Sequence, residues 1–166
     1  PPSPILRDFK NIECRDAVLE HDGSELVCDE HGVPLSRWDG KNLKTHAITG
    51  EQIPDDNARQ PVLRYKNPRR ATWPAADYIV GNPPFIGAAT LRAALGDGYV
   101  EALRSTWSEV PESADFVMYW WQHAAALVNA GAVQRFGFIT TNSLKQTFNR
   151  RIVQQAIDNG LHLAFA

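Results

Sequence analysis

Two consecutive prolines, Pro83 and Pro84, directly follow the apolar run Asp-Tyr-Ile-Val-Gly at residues 77–81. Such a run predicts a buried strand of an α/β protein. A proline donates no backbone hydrogen bond and holds φ at about −65°, so the strand must end at the pair and the chain must turn rigidly. The sequence therefore places a fixed corner, and any function that it carries, at the end of a strand.

The residues beside the prolines offer groups that suit an amino group on a flat ring. Asn82, which the following proline biases toward extended backbone, has an amide with one acceptor oxygen and one donor nitrogen. The Pro83 carbonyl is a second acceptor, and Phe85 adds an aromatic surface. This set can accept both hydrogens of an exocyclic amine. Asn-Pro-Pro alone is also an ordinary loop signal, so the surrounding sequence has to decide.

The order of strand, Asn-Pro-Pro and aromatic residue resembles the motif of amino-methyltransferases that use S-adenosylmethionine. It is most similar to that of DNA adenine-N6 methyltransferases, whose signature reads Asp/Asn/Ser-Pro-Pro-Tyr/Phe/Trp. The runs at residues 114–121 and 136–144 look like those of large single-chain restriction-modification enzymes of the type IIL kind and of related phage-defence methyltransferases. The resemblance covers about residues 8–19 and 75–160. It implies that Asn82, Pro83, Pro84 and Phe85 are catalytic and that Asn82 and Pro84 also contact the cofactor.

Residues 11–19 predict a short strand that ends at the acidic residue Asp16 and the small residue Ala17. In the resembling family, an aspartate at this place accepts a hydrogen bond from the adenine amine of S-adenosylmethionine, and Asp16 and Ala17 match that position. A solvated aspartate at a strand end is the alternative for so short a motif. The order of this segment and the Asn82 corner along the chain favours the cofactor role.

The sequence after the corner predicts alternating helices and strands. A helix over residues 113–128 has Ser113 as N-cap and ends at Asn129-Ala130-Gly131, a strand covers 133–141, a helix covers 144–159, and another strand starts at 161. The resemblance implies an α/β fold, a partial Rossmann-like class I methyltransferase fold that lacks the first strands and the Gly-rich loop. Phe116, Tyr119 and Trp121 are left open between core and site, whereas Trp120, Phe138 and Ile139 are assigned to the core.

The expected domain organisation is one partial catalytic domain over residues 1–166. Residues 1–19 are the cofactor-strand region, 20–74 an insertion and 75–166 the catalytic half. Gly96-Asp97-Gly98 lies after the corner and after a helical-looking segment at residues 88–95, so it predicts a loop, and the stretch 86–107 is expected to be the mobile loop that lines the pocket of the flipped base. The missing remainder of a parent chain would supply the first cofactor motifs and a target-recognition domain. We therefore expect the fragment alone to be inactive and to bind S-adenosylmethionine poorly.

The insertion contains strand-like pieces at residues 25–28 and 62–65, and a possible metal pattern. Cys14, His21, Cys28 and His31 lie close in sequence, and Cys28-x-x-His31 has ligand spacing. Zinc sites usually combine two such short-spaced pairs, and Cys14 belongs to the predicted cofactor strand, so no metal site is predicted. Two cysteines without a signal peptide indicate free thiols and a cytoplasmic location.

The net charge argues against a DNA-binding surface over the whole chain but allows a local one. The chain has 166 residues, a formal charge of −2 and no apolar run of membrane-spanning length. Candidates for phosphate contacts lie on both sides of the corner, with solvated charged faces as the alternative. They are Arg69, Arg70, Lys145, Arg150 and Arg151.

The predicted function is the methylation of adenine N6 in double-stranded DNA, as part of a restriction-modification or phage-defence system, on a base flipped out of the duplex. Methylation of glutamine N5 or of guanine N2 in RNA uses a similar corner and is the first alternative. The second is an inactive methyltransferase fragment with a binding role. Cytosine N4 is a weaker variant, because those enzymes more often have serine at the Asn82 position. The long insertion and the similarity over residues 113–151 favour DNA.

Overall fold

The computed structural model describes residues 12–164, which form a mixed α/β structure as the sequence predicts. Its helices are α1 (Leu91–Leu95), α2 (Asp97–Thr106), α3 (Val117–Asn129) and α4 (Thr147–Asp158). Its strands are β1 (Leu19–Glu20), β2 (Ser24–Leu26), β3 (Ser36–Trp38), β4 (Leu43–Thr45), β5 (Gln52–Pro54), β6 (Arg59–Pro61), β7 (Leu63–Tyr65), β8 (Arg69–Arg70), β9 (Tyr78–Gly81) and β10 (Arg135–Phe138).

Residues 19–70 form an extended antiparallel ribbon. Its strands pair in nested order, β1 with β8, β2 with β7, β3 with β6 and β4 with β5. The chain therefore runs outward to a turn at residues 46–51, where the Gly50 N–H donates to the His46 carbonyl at 2.9 Å, and then returns along itself. Strands at 24–26 and 63–65 confirm the strand-like pieces of the sequence. The assignment of residues 20–74 as an insertion stays a prediction.

An ion pair, a hydrogen bond and a close backbone contact hold the ribbon against α1 and α2. The Arg37 guanidinium lies 2.6 Å from the Asp97 carboxylate and donates to the Arg92 carbonyl at 3.0 Å. Gly98, in the first turn of α2, lies so close to the ribbon that a Cβ there would overlap the Leu63 carbonyl. Glycine is therefore required at 98 by contact with the ribbon, and the predicted loop at 96–98 is instead the start of a helix.

Strands β9 and β10 form a parallel pair, with Tyr78 opposite Arg135 and Gly81 opposite Phe138. The predicted strand at 77–81 is thereby confirmed, and the one predicted at 133–141 is shorter than expected. The expected burial of β9 is wrong, because the Val80 side chain is 86% exposed. Among residues 12–164, β9 pairs with β10 alone, so its second edge and the face that carries Val80 are not covered.

Helix α3 starts later than the sequence predicts. Its N-cap is Phe116 rather than Ser113, and that position has no side-chain cap. The reason lies outside the helix: Asp115 is engaged by Asn149 and by the backbone of Ala88. The predicted end is confirmed at Asn129, followed by Gly131 with a positive φ of 72°.

Three further predictions are wrong for the described residues. No strand forms at 12–18, where the Asp16 carboxylate instead closes a tight turn, and none forms at 161–164. Residues 86–107 are largely helical rather than a mobile loop. Leu91, Leu103 and Trp107 in that segment are fully buried, because α1 and α2 pack onto α3. The Rossmann-like arrangement itself stays a prediction.

The core is an aromatic-rich cluster between α2, α3 and α4. Phe116, Tyr119 and Trp121, which the sequence left open, are buried in it or at its edge. Ile139 was assigned to the core but is 64% exposed, since β10 ends one residue earlier. Helix α4 packs Ile152 and Ala156 against α3, and it starts three residues later than the sequence predicts.

His123 lies within this aromatic packing, between two tryptophan rings. Its ring centroid is 4.2 Å from that of Trp73 and 5.2 Å from that of Trp107. Burial lowers the pKa of His123 to about 4, and the nearby Arg70 charge acts in the same direction. The imidazole is therefore neutral at physiological pH.

We expect Gly98→Ala to reduce the free energy of unfolding, although alanine is normally the better helix residue. The added methyl group must push the Leu63 carbonyl away, at a cost of about 1–3 kcal/mol. Urea unfolding measures the loss. Gly137→Ala is the control, because a Cβ at Gly137 meets no atom within 4 Å. Equal stability of the two variants would contradict this account of the ribbon contact.

We also expect the protein to lose stability as the pH falls from 6.5 toward 4. In this window the unfolded chain protonates His123, whose ordinary pKa is 6.5, while the folded chain keeps it neutral. His123→Gln should make the dependence of the unfolding free energy on pH shallower there. An unchanged slope in this variant would show that His123 is not the group responsible.

Candidate functional site at the proline corner

The corner after β9 presents its residues in alternate directions. Asn82 and Pro84 are exposed, Pro83 is buried, and the Phe85 side chain is 52% exposed. Gly81, the last residue of β9, packs under the ring of Phe138, and a Cβ at Gly81 would come within 3.2 Å of that ring. The strand thus ends against an aromatic side chain, and the exposed groups of the corner point away from the core.

The polar groups of the corner are available to a ligand. Within the part of the chain that the structure describes, the Asn82 amide and the Pro83 carbonyl make no hydrogen bond. They can therefore serve together as hydrogen-bond acceptors for an external donor with two hydrogens.

A cleft of about 260 Å³ opens beside the corner, and we refer to it as the corner cleft. Its walls combine the end of β9 with three aromatic side chains from elsewhere in the chain. The lining residues are Trp73, Ile79, Val80, Gly81, Asn82, Pro83, Pro84, Trp120 and Phe138. None of them carries a charge, so the cleft suits a flat, largely apolar ring with a few polar edge groups.

Sequence reasoning missed the aromatic walls of this cleft. Trp73 was not singled out, and Trp120 and Phe138 were assigned to the core alone. The structure leaves Trp120 and Phe138 partly buried, with one side packed on the core and the other on the cleft. The available signal was weak: Trp73 stands four residues before the strand, in a segment without periodicity.

Trp73 is held in the wall from two sides. Its indole Nε1–H donates to the Ala17 carbonyl at 2.6 Å, and its ring packs on His123. The predicted cofactor residue Ala17 is thereby placed directly behind a residue that lines the corner cleft. Because His123 is neutral, the packed pair introduces no charge into the wall.

Asp16 is exposed and does not line the corner cleft. One carboxylate oxygen accepts from the backbone N–H groups of Val18 and Leu19 at 2.8 and 2.9 Å, and the other accepts from the Tyr99 hydroxyl at 2.6 Å. Burial and the hydrogen bond to Asp16 raise the pKa of Tyr99 well above its usual range. The structure therefore connects the Asp16 segment to the cleft through Trp73 but does not join Asp16 and Asn82 in one cavity.

The predicted phosphate contacts fall into two groups. Arg69 and Arg70 are already paired: Arg69 lies 2.7 Å from Asp22, and Arg70 lies 2.7 Å from Glu109. These pairs reduce the positive charge that either arginine offers to a phosphate. In contrast, Lys145, Arg150 and Arg151 are exposed, and none forms an ion pair within residues 12–164. The structure favours this second group.

Residues 12–164 contain no group of three or more His, Cys, Asp or Glu side chains that could hold a metal ion. Cys14 and Cys28 are exposed free thiols. None of the helices in the same range is long and apolar enough to cross a membrane.

Comparison with known proteins identifies one family over nearly the whole chain. Residues 6–166 match the family described as MmeI, DNA-methyltransferase domain. No curated protein and no solved structure gave a significant match. The family match includes the proline corner, the aromatic cleft and α4. The chain therefore belongs to the MmeI DNA-methyltransferase domain family and is a DNA methyltransferase domain.

Proposed function

We propose that this domain transfers a methyl group from S-adenosylmethionine to N6 of an adenine that has been flipped out of double-stranded DNA. One observation carries the proposal: the Asn82 amide and the Pro83 carbonyl are free acceptors at the mouth of an aromatic cleft. The adenine amine has two hydrogens and is attached to a flat ring, so it matches both features. The family membership supports DNA as the substrate.

The chemistry requires activation of a weak nucleophile. The lone pair of the adenine amine is delocalised into the ring. Hydrogen bonds from the amine to the Asn82 amide oxygen and the Pro83 carbonyl favour a tetrahedral nitrogen, on which the lone pair can attack. As the new bond to nitrogen forms, the bond between the methyl group and sulfur would break. The corner cleft has no titratable side chain among its lining residues, so the methylated nitrogen would release its surplus proton to water at the exposed Asn82 rather than to a general base. Positioning of the amine then supplies most of the acceleration.

The described residues fit part of a site for S-adenosylmethionine, which supplies an electrophilic methyl group when bound. Asn82 and Pro84 lie at the corner cleft, where the transferred methyl group has to reach the target amine, and the adenine ring of the cofactor would lie outside this cleft, beside Asp16. A carboxylate has about four acceptor positions, and three intramolecular donors engage that of Asp16. We assign Asp16 the remaining bond, to the adenine amine of the cofactor, and place Ala17 behind the ring.

Flipping the target base costs about a few kcal/mol, because the base leaves the stack. Phe85 is half exposed at the corner and can stack on the extruded base, which returns about 1–3 kcal/mol. Lys145 lies just before α4, and Arg150 and Arg151 lie within it, and all three are exposed. They can contact the DNA phosphates on either side of the position that the flipped base has left. We further propose that the methylation serves a restriction-modification system.

In the full-length protein, we expect Asn82→Ala to reduce kcat for methyl transfer about 100-fold or more, because it removes an acceptor that acts on the target amine in the transition state. The affinity for S-adenosylmethionine should stay within about three-fold. Transfer of labelled methyl groups to duplex DNA, followed by nucleoside analysis, measures both rate and product. Asn129→Ala, an exposed asparagine at the end of α3, is the control. A near wild-type rate in Asn82→Ala, or N4-methylcytosine as the product, would refute the assignment.

We expect Asp16→Ala to weaken binding of S-adenosylmethionine by about ten-fold or more, because a hydrogen bond to a charged group contributes about 1.5–3 kcal/mol. Isothermal titration calorimetry on the full-length protein measures the affinity. Tyr99→Phe is the matched control, since it removes one intramolecular bond of Asp16 and leaves the carboxylate in place. If both variants bind as tightly as the wild type, Asp16 has only a structural role.

A further inference from the structure

Asn149 is the buried polar side chain of the described core, with 1% of its surface exposed. Its amide nitrogen donates to the Asp115 carboxylate at 2.8 Å and to the Ser143 carbonyl at 3.0 Å, and its oxygen accepts from the Asp115 backbone N–H at 3.0 Å. A buried amide is costly unless its hydrogen bonds are made. Here they are made, and every one of them leads to a residue outside α4.

Asn149 does not serve as a cap for its own helix. Helix α4 has Gln146 at its N-cap without a side-chain hydrogen bond, and α3 begins at Phe116 in the same way. Two helix starts are thus left without the usual side-chain cap, while a buried asparagine and the aspartate before α3 bond to each other. The pair holds separate segments together rather than ending a helix.

The second carboxylate oxygen of Asp115 extends this pair to the segment that follows the corner. It accepts the backbone N–H of Ala88 at 3.2 Å, while the neighbouring Phe116 N–H donates to the Ile86 carbonyl at 2.9 Å. Residues 86–88 are therefore tied at both ends to residues 115–116. Phe85 directly precedes the tied segment, and Asn82 lies three residues further back across two rigid prolines.

We propose that Asn149 and Asp115 are positioning residues for the proline corner. Asn149 fixes the Asp115 carboxylate, Asp115 fixes the Ala88 amide, and the tied segment fixes Phe85 and Asn82 relative to the corner cleft. This inference rests on the proposed function, because it assigns these residues to the same catalytic site. Neither residue lines the cleft, so they act through the backbone and not on the substrate.

Exchange of the two side chains gives a direct test. Asn149→Asp opposes two carboxylates and breaks the pair, whereas Asp115→Asn keeps a single acceptor oxygen, which cannot serve both the Asn149 amide and the Ala88 N–H. The double variant restores a donor opposite an acceptor and keeps an oxygen for the Ala88 N–H, although the Ser143 carbonyl loses its donor. We expect each single variant to lower kcat about ten- to a hundred-fold with little change in KM, and the double variant to recover at least half of the loss on a logarithmic scale.

Ala88→Pro leaves the side chains of Asn149 and Asp115 unchanged, although its ring carbon takes the place of the amide hydrogen and displaces the Asp115 carboxylate. It removes the N–H that Asp115 accepts, at the first position of a short 3₁₀ turn where proline is well tolerated. Gly87 before it is already extended, at φ −72° and ψ 153°, as a residue before proline prefers. We expect the same selective loss of kcat. Gln155→Glu, an exposed amide-to-acid change on α4, is the control and should behave as the wild type.

Hydrogen exchange at the Ala88 amide measures how firmly Asp115 holds residues 86–88. Circular dichroism checks that each variant folds. Faster exchange in the single variants and recovery in the double variant support the proposal. A wild-type kcat in Ala88→Pro would overturn the proposal, and so would unchanged exchange of the Ala88 amide in Asn149→Asp. If Asp115→Asn and Asn149→Asp fail to fold, the kcat of Ala88→Pro still decides. Absence of methyl transfer by the full-length wild-type protein would instead reject the proposed function, and the exchange data would still decide whether the pair holds the segment.

Discussion

The absence of two backbone N–H groups, at Pro83 and Pro84, determines how the site is built. The parallel ladder can continue only to the bond from the Ile139 N–H to the Gly81 carbonyl, at 3.0 Å, because the next residues of the corner have no donor to add. The corner must therefore take its support from outside the sheet. It receives that support from the residues just before α3, through Ile86 and Ala88.

Charged side chains around the corner lie on the surface and not in the cleft. The walls of the cleft are uncharged, and His123 behind Trp73 is kept neutral by burial. Charged groups lie further away, where Arg69 and Arg70 have carboxylate partners and the basic residues around α4 are exposed. A neutral cleft and a separate group of exposed basic residues are the two elements that the proposed binding of an extruded base requires.

Features with a local cause were predictable from the sequence, and features with a distant cause were not. The end of β9 and the ends of α3 and α4 follow from Pro83, Gly131 and Gly160, which act on their own backbone. The start of α3 could not be predicted, because Asp115 is drawn to Asn149, which lies 34 residues away. The exposure of Val80 depends on which strands lie beside β9. The position of Trp73 depends on Ala17 and His123, which lie more than 45 residues away in the sequence. The residues around Val80 and Trp73 therefore give no signal of either property.

The nested pairing of the ribbon has an evolutionary consequence. Residues gained or lost at the turn over 46–51 lengthen or shorten the two arms equally, and the pairing of Leu26 with Leu63 nearer the base is preserved. The contact of Gly98 with Leu63 is then unaffected by the length of the ribbon. The ribbon can therefore change in length without altering the contact between its base and α2 or the register of β9 with β10.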